Sequence, residues 1–354
     1  MKKSLINKPE KKISMKDIAE ELHLSITTVS FVINGKSTSI SPATVKKVKA
    51  LIKKRGFKPN NAARLLRTGK SKTIGLIVED ISDNFFGNIA KIIETEAHKN
   101  DYSIFFSSTE SNNETAKALI NEMKQSSVDG LIITATSGLK EEIAKLKSEN
   151  IPFVLIDRLI PGIDCNYVIL DNYKGAYDLT NHLLQHGYGK IGFISISGGM
   201  SQMIDRKRGF MDALAAAKIA MPGNTILEVP MKENIRTLTA IKKFITKNPE
   251  LDALFFATNY LGVLGIEALQ ECKLRIPEDV AVVSFGDNDL FRLHTPAITV
   301  SAQPVQELAT RSIALLLKII RKEQKPTSLT GEIVKPDIII RKSSPRKQKQ
   351  LRAL

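Results

Sequence analysis

The sequence predicts an α/β protein: a small all-α helix-turn-helix headpiece followed by two doubly wound parallel-sheet subdomains. Three observations carry that prediction. Charge is unevenly placed along the 354 residues: positions 1–72 hold 18 Lys and Arg against 4 Asp and Glu, 73–340 hold 28 against 33, and 341–354 hold 6 against none. Apolar residues in the first part recur at helical spacing in three short runs. From Thr73 onward, compact apolar runs alternate with amphipathic stretches of helical period.

The first helix is expected from Met15 to Leu22, with Ser14 as N-cap and Ile18, Ala19 and Leu22 on one face. The second begins after Ser25, another natural N-cap, and turns Val29, Val32 and Ile33 inward. The third opens at Ser41-Pro42, a cap followed by proline at the first helical position. It runs through Val45, Val48 and Ile52 and ends at Gly56. So few residues separate the first two helices that they must meet in a tight angular turn, which leaves the second free to enter a DNA major groove.

In the remainder, the runs TIGLIV (73–78), YSIFF (102–106), GLIIT (130–134), FVLID (153–157), YVIL (167–170), KIGFISI (190–196), ALFFAT (253–258) and VAVVSF (280–285) read as strands. Near-continuous Val, Ile, Leu and Phe indicate parallel strands covered on both faces. Helical patterns at 87–99, 114–125, 175–186, 206–217 and 304–321 supply the crossovers. There are too many strands for one compact sheet, hence two subdomains. Ligands of such sheets bind beyond the carboxyl ends of the strands, here in the cleft between the subdomains.

Composition excludes several classes. No apolar stretch is long enough to span a bilayer, so no membrane partner is expected. The N-terminus MKKSLINKPEKKIS starts like a signal peptide but places Pro9, Glu10, Lys11 and Lys12 where an apolar core belongs, so the chain reads as cytoplasmic. Cys165 and Cys272 are too few for a cysteine-based zinc site. His182 and His186 stand at i, i+4, a spacing able to hold a metal, but no third ligand is evident; they read as a solvated helix face. G-x-G-x-x-G, P-loop and G-x-S-x-G motifs are absent. Neither cofactor, metal nor catalytic residue is expected. The basic head on a weakly acidic body is the asymmetry of a nucleic-acid binder, because Lys and Arg displace counterions condensed on phosphates.

The segment MKDIAEELHLSITTVSFVINGK resembles the headpiece of the LacI/GalR (lactose repressor) family through Asp17, Ile18, Ala19, Ser25, Thr28, Val29, Ser30, Val32, Asn34, Gly35 and Lys36. The resemblance continues through GFKPNNAARLLRTGKSKTIGLIVEDISDNFF, IDR (156–158), LDNYKGA (170–176), DRKRGF (205–210), PEDVAVVSF (277–285) and TPAITVSAQP (295–304), from Ser14 to about Arg341. It implies a body of periplasmic-binding-protein type and the following divisions: a basic disordered tail (1–13), the headpiece (14–59), a hinge helix and linker (60–71), an effector-binding and dimerisation domain (72–341), and a basic tail (342–354). Within the body, residues 72–172 with 303–330 would form one subdomain, and 173–300 with 331–341 the other.

By this resemblance Ile26 and Thr27 open the recognition helix and meet base edges, while Ser25, Thr28, Ser30 and Asn34 act as phosphate or cap contacts. Two positions depart from the family. His23 replaces a turn glycine where φ > 0 is expected, a conformation His tolerates better than most residues. Phe31 replaces an arginine that could bind guanine bidentately. In the hinge, Asn60, Arg64 and Arg67 are expected on DNA, and Leu66 is expected to wedge into the minor groove.

In the body, Phe85, Phe86, Asp157, Arg158, Asn172, Arg206, Asn259 and Asp287 are the expected effector contacts. Asp287 is chosen because Gly286 falls where relatives carry an aspartate. Several Asp, Arg and Asn groups flanked by aromatics suit a carbohydrate, and a nucleobase would also fit. The function so implied is a homodimeric regulator, acting as a repressor on a pseudo-palindromic double-stranded operator under control of a small-molecule effector. The alternatives are a sugar-binding protein without a DNA-directed role, which leaves the basic head unexplained, and a Rossmann-like enzyme, for which no catalytic constellation is found.

Overall fold

A computed structural model describes residues 13–33, 35, 38–57, 69–219, 225–231, 233–323 and 329–345. The chain divides between Ser71 and Lys72 into two units.

The first unit holds α1 (Met15–Glu21), α2 (Ile26–Ile33) and α3 (Pro42–Arg55). Ser14 begins α1 with a reciprocal cap: its hydroxyl accepts from Asp17 N (3.3 Å) and its own backbone N–H donates to the Asp17 carboxylate (2.7 Å). His23 carries the turn at φ 53°, the left-handed conformation expected at that position. Ser25 restarts the helix by accepting from Thr28 N at 3.0 Å. Ser41-Pro42 opens α3, and Gly56 closes it at φ 62°. Ile18, Ala19, Val29, Val32, Val48 and Leu51 form the core. Leu51 is buried more deeply than the Val45 and Ile52 expected from periodicity, which lie at its edge.

The second unit contains two six-stranded sheets. The first comprises β1 (Thr73–Val78), β2 (Ser103–Ser108), β3 (Gly130–Ile133), β4 (Phe153–Ile156), β5 (Tyr167–Leu170) and β11 (Gly331–Val334), in the order β11-β5-β4-β3-β1-β2, all parallel. The second comprises β6 (Ile191–Ile196), β7 (Ile226–Val229), β8 (Ala253–Phe256), β9 (Ala281–Phe285), β10 (Thr299–Ala302) and β12 (Asp337–Ile339), in the order β12-β10-β9-β8-β6-β7; only β12 is antiparallel. The helices are α4 (Asn84–Lys99), α5 (Asn113–Gln125), α6 (Lys140–Ser148), α7 (Asn172–Gln185), α8 (Ser201–Ala216), α9 (Asn234–Lys247), α10 (Asn259–Glu271), α11 (Asp289–Leu293) and α12 (Val305–Ile320), with a short 3₁₀ turn at Ser137–Leu139. The chain crosses between the sheets three times: from β5 into α7, from β10 into α12 (which packs on β3, β4 and β5), and from β11 into β12.

Three expectations are corrected. Residues 331–334 do not belong with the second subdomain. They pair with β5 in the first sheet, and only after Pro336, which cannot donate to a ladder, does the chain enter the second. The fold also runs past residue 342. Ser343 and Ser344 are fully buried, with Val282 N donating to Ser343 O (3.0 Å), Thr299 N to Ser343 Oγ (2.8 Å) and Ser343 N to Ala297 O (3.0 Å). Finally, the YSIFF strand is not covered on both faces: β2 is a sheet edge on which Phe105 and Phe106 are exposed.

Candidate ligand cleft and nucleic-acid interface

On the headpiece, packing fixes which residues of α2 face outward. Val29 and Val32 enter the core, leaving Ile26 48% and Phe31 41% exposed, with Thr27 also exposed. Ser25 and Thr28 spend their hydroxyls largely on each other, 2.9 Å apart, at the start of the helix. Ser30 was expected at a phosphate, but it is only 7% exposed and offers a phosphate little surface. Helix α3 presents Lys46, Lys47, Lys49, Lys53 and Lys54 to solvent. Asn34, Asn60, Arg64, Leu66 and Arg67 lie outside the described residues.

In the body, a cleft of about 510 Å³ opens beyond the carboxyl ends of both sheets. The first sheet lends it Glu79, Asp80 and Asp83 after β1, with Phe85 and Phe86 at the start of α4, and Asp157 and Arg158 after β4. Facing them, the second sheet lends Arg206 and Gln202 from α8, Asn259 and Tyr260 from α10, Phe285 at the end of β9 and Gln303 just after β10. Helices α4, α8, α9 and α10 all begin at the cleft, so their partly positive N-termini face the carboxylates and any electron-rich ligand group.

Arg206 is the most tightly specified side chain in the site. Its residue is 4% exposed; Nε donates to Asn172 Oδ1 (2.9 Å), Nη1 to Ala257 O (2.7 Å), and the guanidinium lies 3.7 Å over the Phe285 ring. Burial presses its pKa below the ordinary value, while Asp157 holds its charge. Opposite it, Arg158 Nη2 pairs with Glu79, which also accepts from Ser111 Oγ, and Arg158 Nε lies 3.3 Å from Asp157 Oδ2 without hydrogen-bond alignment. Asp157 leaves β4 at φ 70°; burial raises its pKa, and the guanidiniums of Arg158 and Arg206 oppose the rise. Asp83 accepts from Phe85 N (2.8 Å) and bonds Asn259 across the cleft. Burial raises its pKa against both bonds.

Of the residues expected from sequence, Phe85, Phe86, Asp157, Arg158, Arg206 and Asn259 line the cleft. Asn172 does not; it sits buried behind Arg206 and orients it. Asp287 does not line it either. Its carboxylate is turned to Arg341, which donates through Nη1 to Oδ1 (2.8 Å) and through Nη2 to Oδ2 (2.6 Å). Gly286, at φ 83°, offers no side chain, and Gln303 occupies the space a Cβ would approach. Glu79, Asp83, Gln202, Tyr260 and Gln303 were not anticipated. Glu79 and Asp83 were readable, since they directly follow an obvious strand in the motif IVEDISDNFF. His182 does not stand on a solvated helix face: it is buried, and the His182 and His186 rings, 4.2 Å apart, bond Ser344 Oγ and the His182 carbonyl respectively.

Comparison with known proteins follows the same two-part division. Residues 14–60 match the family described as bacterial regulatory proteins, lacI family, and residues 71–331 match that of periplasmic binding proteins and the sugar binding domain of the LacI family. The transcriptional regulator RegA of Clostridium saccharobutylicum is 32% identical over 320 residues, 88% of this chain and 93% of that one. Catabolite control protein A of Priestia megaterium is 28% identical, covering 90% and 95%. Among solved structures, the lac repressor dimer bound to operator and an anti-inducer superposes with a TM-score of 0.83 at 21% identity, covering 95% of this chain and 100% of that one. The regulator CelR in complex with cellobiose gives 0.70 at 24%, covering 94% and 99%. Among the described residues no helix is long and apolar enough to cross a membrane. The chain belongs to the LacI family of DNA-binding transcriptional regulators.

Proposed function

We propose that this protein is a homodimeric repressor whose hold on a pseudo-palindromic operator is set by a neutral, polyhydroxylated effector in the cleft between its subdomains. The observation that carries this reading is the pairing of Asp157 and Arg158 from one sheet with Arg206 and Asn259 from the other around a single cavity. A ligand that bonds both walls stabilises one relative setting of the subdomains, which is how a bound molecule shifts a two-state protein. Fixed donors and acceptors with the Phe85, Phe86 and Phe285 rings suit hydroxyls on a ring with an apolar face. Four lining carboxylates against two guanidiniums disfavour an anion.

On the DNA side the reading assigns Ile26, Thr27 and Phe31 to bases, Ser25 and Thr28 to register, and the segment with Asn60, Arg64, Leu66 and Arg67 to the coupling between effector and operator. It gives the chain no catalytic role and a cytoplasmic place of work. A sugar-binding protein without DNA function would have no use for the net +14 of residues 1–72.

The experiment is a thermal-shift panel on the whole protein with neutral sugars, sugar phosphates and nucleobases, followed by operator titration with each hit. A ligand at a hundred times its Kd adds about 2.7 kcal/mol to stability, and the hit should change operator affinity. If operator affinity stays the same with and without every hit, the regulatory reading fails.

A further inference from the structure

Helix α2 reads Ile-Thr-Thr-Val-Ser-Phe-Val-Ile and contains neither a charged nor an amide side chain. That composition limits what it can do in a major groove. Bidentate recognition of guanine needs Arg or Lys, and of adenine Asn or Gln, so the helix itself can make neither. It is left with hydroxyls and apolar surface, and the apolar group displayed in the major groove is the 5-methyl of thymine. The outward apolar surface is substantial. Thr27 and Phe31 stand four residues apart and share the face turned away from Val29, with Ile26 beside them at the helix start. Val29 and Val32 on the same helix are buried in the headpiece core, whereas Phe31 is 41% exposed and is not among the hydrophobic residues packed against that core. Phe31, Ile26 and the Thr27 methyl together put apolar surface on the outward side of one helix, and a major groove offers such surface the thymine methyl.

We propose that Phe31, with Ile26, is a base-reading residue that recognises thymine methyl groups, so that each operator half-site carries a T·A pair opposite residue 31. This rests on the assignment of α2 to the bases proposed above and adds the chemistry by which this helix discriminates. An apolar contact of this kind is indifferent to hydrogen-bonding pattern and sensitive to a single carbon atom.

The test selects operator sequences from random duplexes with the whole protein, then replaces each selected thymine in turn by deoxyuridine, which deletes only the methyl. At the position facing residue 31 the wild type should weaken about fourfold, the worth of one buried methyl group. Phe31→Ala should bind more weakly and lose that sensitivity while keeping its sensitivity elsewhere. Phe31→Arg should select guanine at that position. A purely structural role for Phe31 would weaken binding without altering the response to deoxyuridine. The proposal is overturned if deoxyuridine is neutral at every thymine, or if Phe31→Ala retains the full response. Should no sequence be enriched over random, the regulator reading falls with it.

Discussion

Arg341 grips Asp287 with both guanidinium nitrogens, at 2.8 and 2.6 Å, and so turns toward the chain terminus a carboxylate that its sequence position would assign to the ligand. The side chains are 13% and 32% exposed, so the pair is partly screened. Arg341→Ala should lower the stability of the whole protein by about 1–2 kcal/mol in urea titration, and a double-mutant cycle with Asp287→Asn should recover most of that as coupling. Asp287→Asn should leave effector affinity within about twofold by calorimetry. A tenfold loss would return Asp287 to the site.

Arg206 should behave in the opposite way. Arg206→Ala removes charge-assisted bonds worth about 2 kcal/mol or more to a bound ligand and leaves Asp157 facing fewer cations. Arg206→Lys should not rescue binding, because an ammonium cannot bridge Asn172 and Ala257 while lying flat on Phe285. Operator affinity without effector should stay within about twofold for both variants, measured by fluorescence anisotropy.

Gly209 lets α8 lie directly on α7: a Cβ there would stand 2.3 Å from Tyr173 O and 3.0 Å from Tyr177 N. Gly209→Ala must push the two helices apart, at about 1–3 kcal/mol. Arg206 rides on α8 and its partner Asn172 on α7, so effector affinity should fall along with the melting temperature. Unchanged ligand affinity would show that the Arg206–Asn172 bond is not needed for binding.

His182 makes stability depend on acid. Burial, then the neighbouring His186, push its pKa from 6.5 down to about 4 in the folded chain. Between those values the unfolded chain binds more protons, so stability is highest above about pH 6.5 and is lost as pH falls toward 4, on the order of 2–3 kcal/mol. Urea midpoints at pH 7.5, 6 and 5 should show the decline. His182→Gln, which keeps a partner for Ser344, should flatten it.

Removing residues 1–71 should abolish duplex binding. The whole protein should lose affinity on the order of a thousandfold between 50 and 200 mM salt if about six phosphates are contacted. Equal binding by a chain starting at Lys72 would place the DNA-binding surface in the body.

Much of the fold was legible because burial on both faces writes itself as unbroken apolar runs, as in Thr73–Val78 and Ile191–Ile196. Strands β7, β10, β11 and β12 were not read as runs: they are three or four residues long, and β7, β11 and β12 are edge strands carrying polar residues such as Glu228, Glu332 and Asp337. At the site, sequence named the side chains near strand ends but not which way each would turn. Asp287 and Asn172 show why. Each is drawn to an arginine, one away from the cleft and one behind it, and Arg341 lies far along the chain from the strand it serves. Ser30 went astray for a related reason, because helical spacing places it near the outward face while neighbouring packing covers it.

The third crossing between the sheets has a bearing on how the protein comes into being. Each sheet takes a strand from the segment Gly331–Ile339: β11 pairs with β5, and β12 with β10. During synthesis the headpiece can fold at once from local contacts, whereas the first sheet, begun at Thr73, waits for Gly331. At about 5–20 residues per second that interval is roughly 15–50 s. For the part of it that follows the synthesis of Leu170, roughly 8–32 s at the same rate, the outer edge of β5 stands open on the nascent chain, a surface for chaperones to hold and for neighbouring chains to join wrongly.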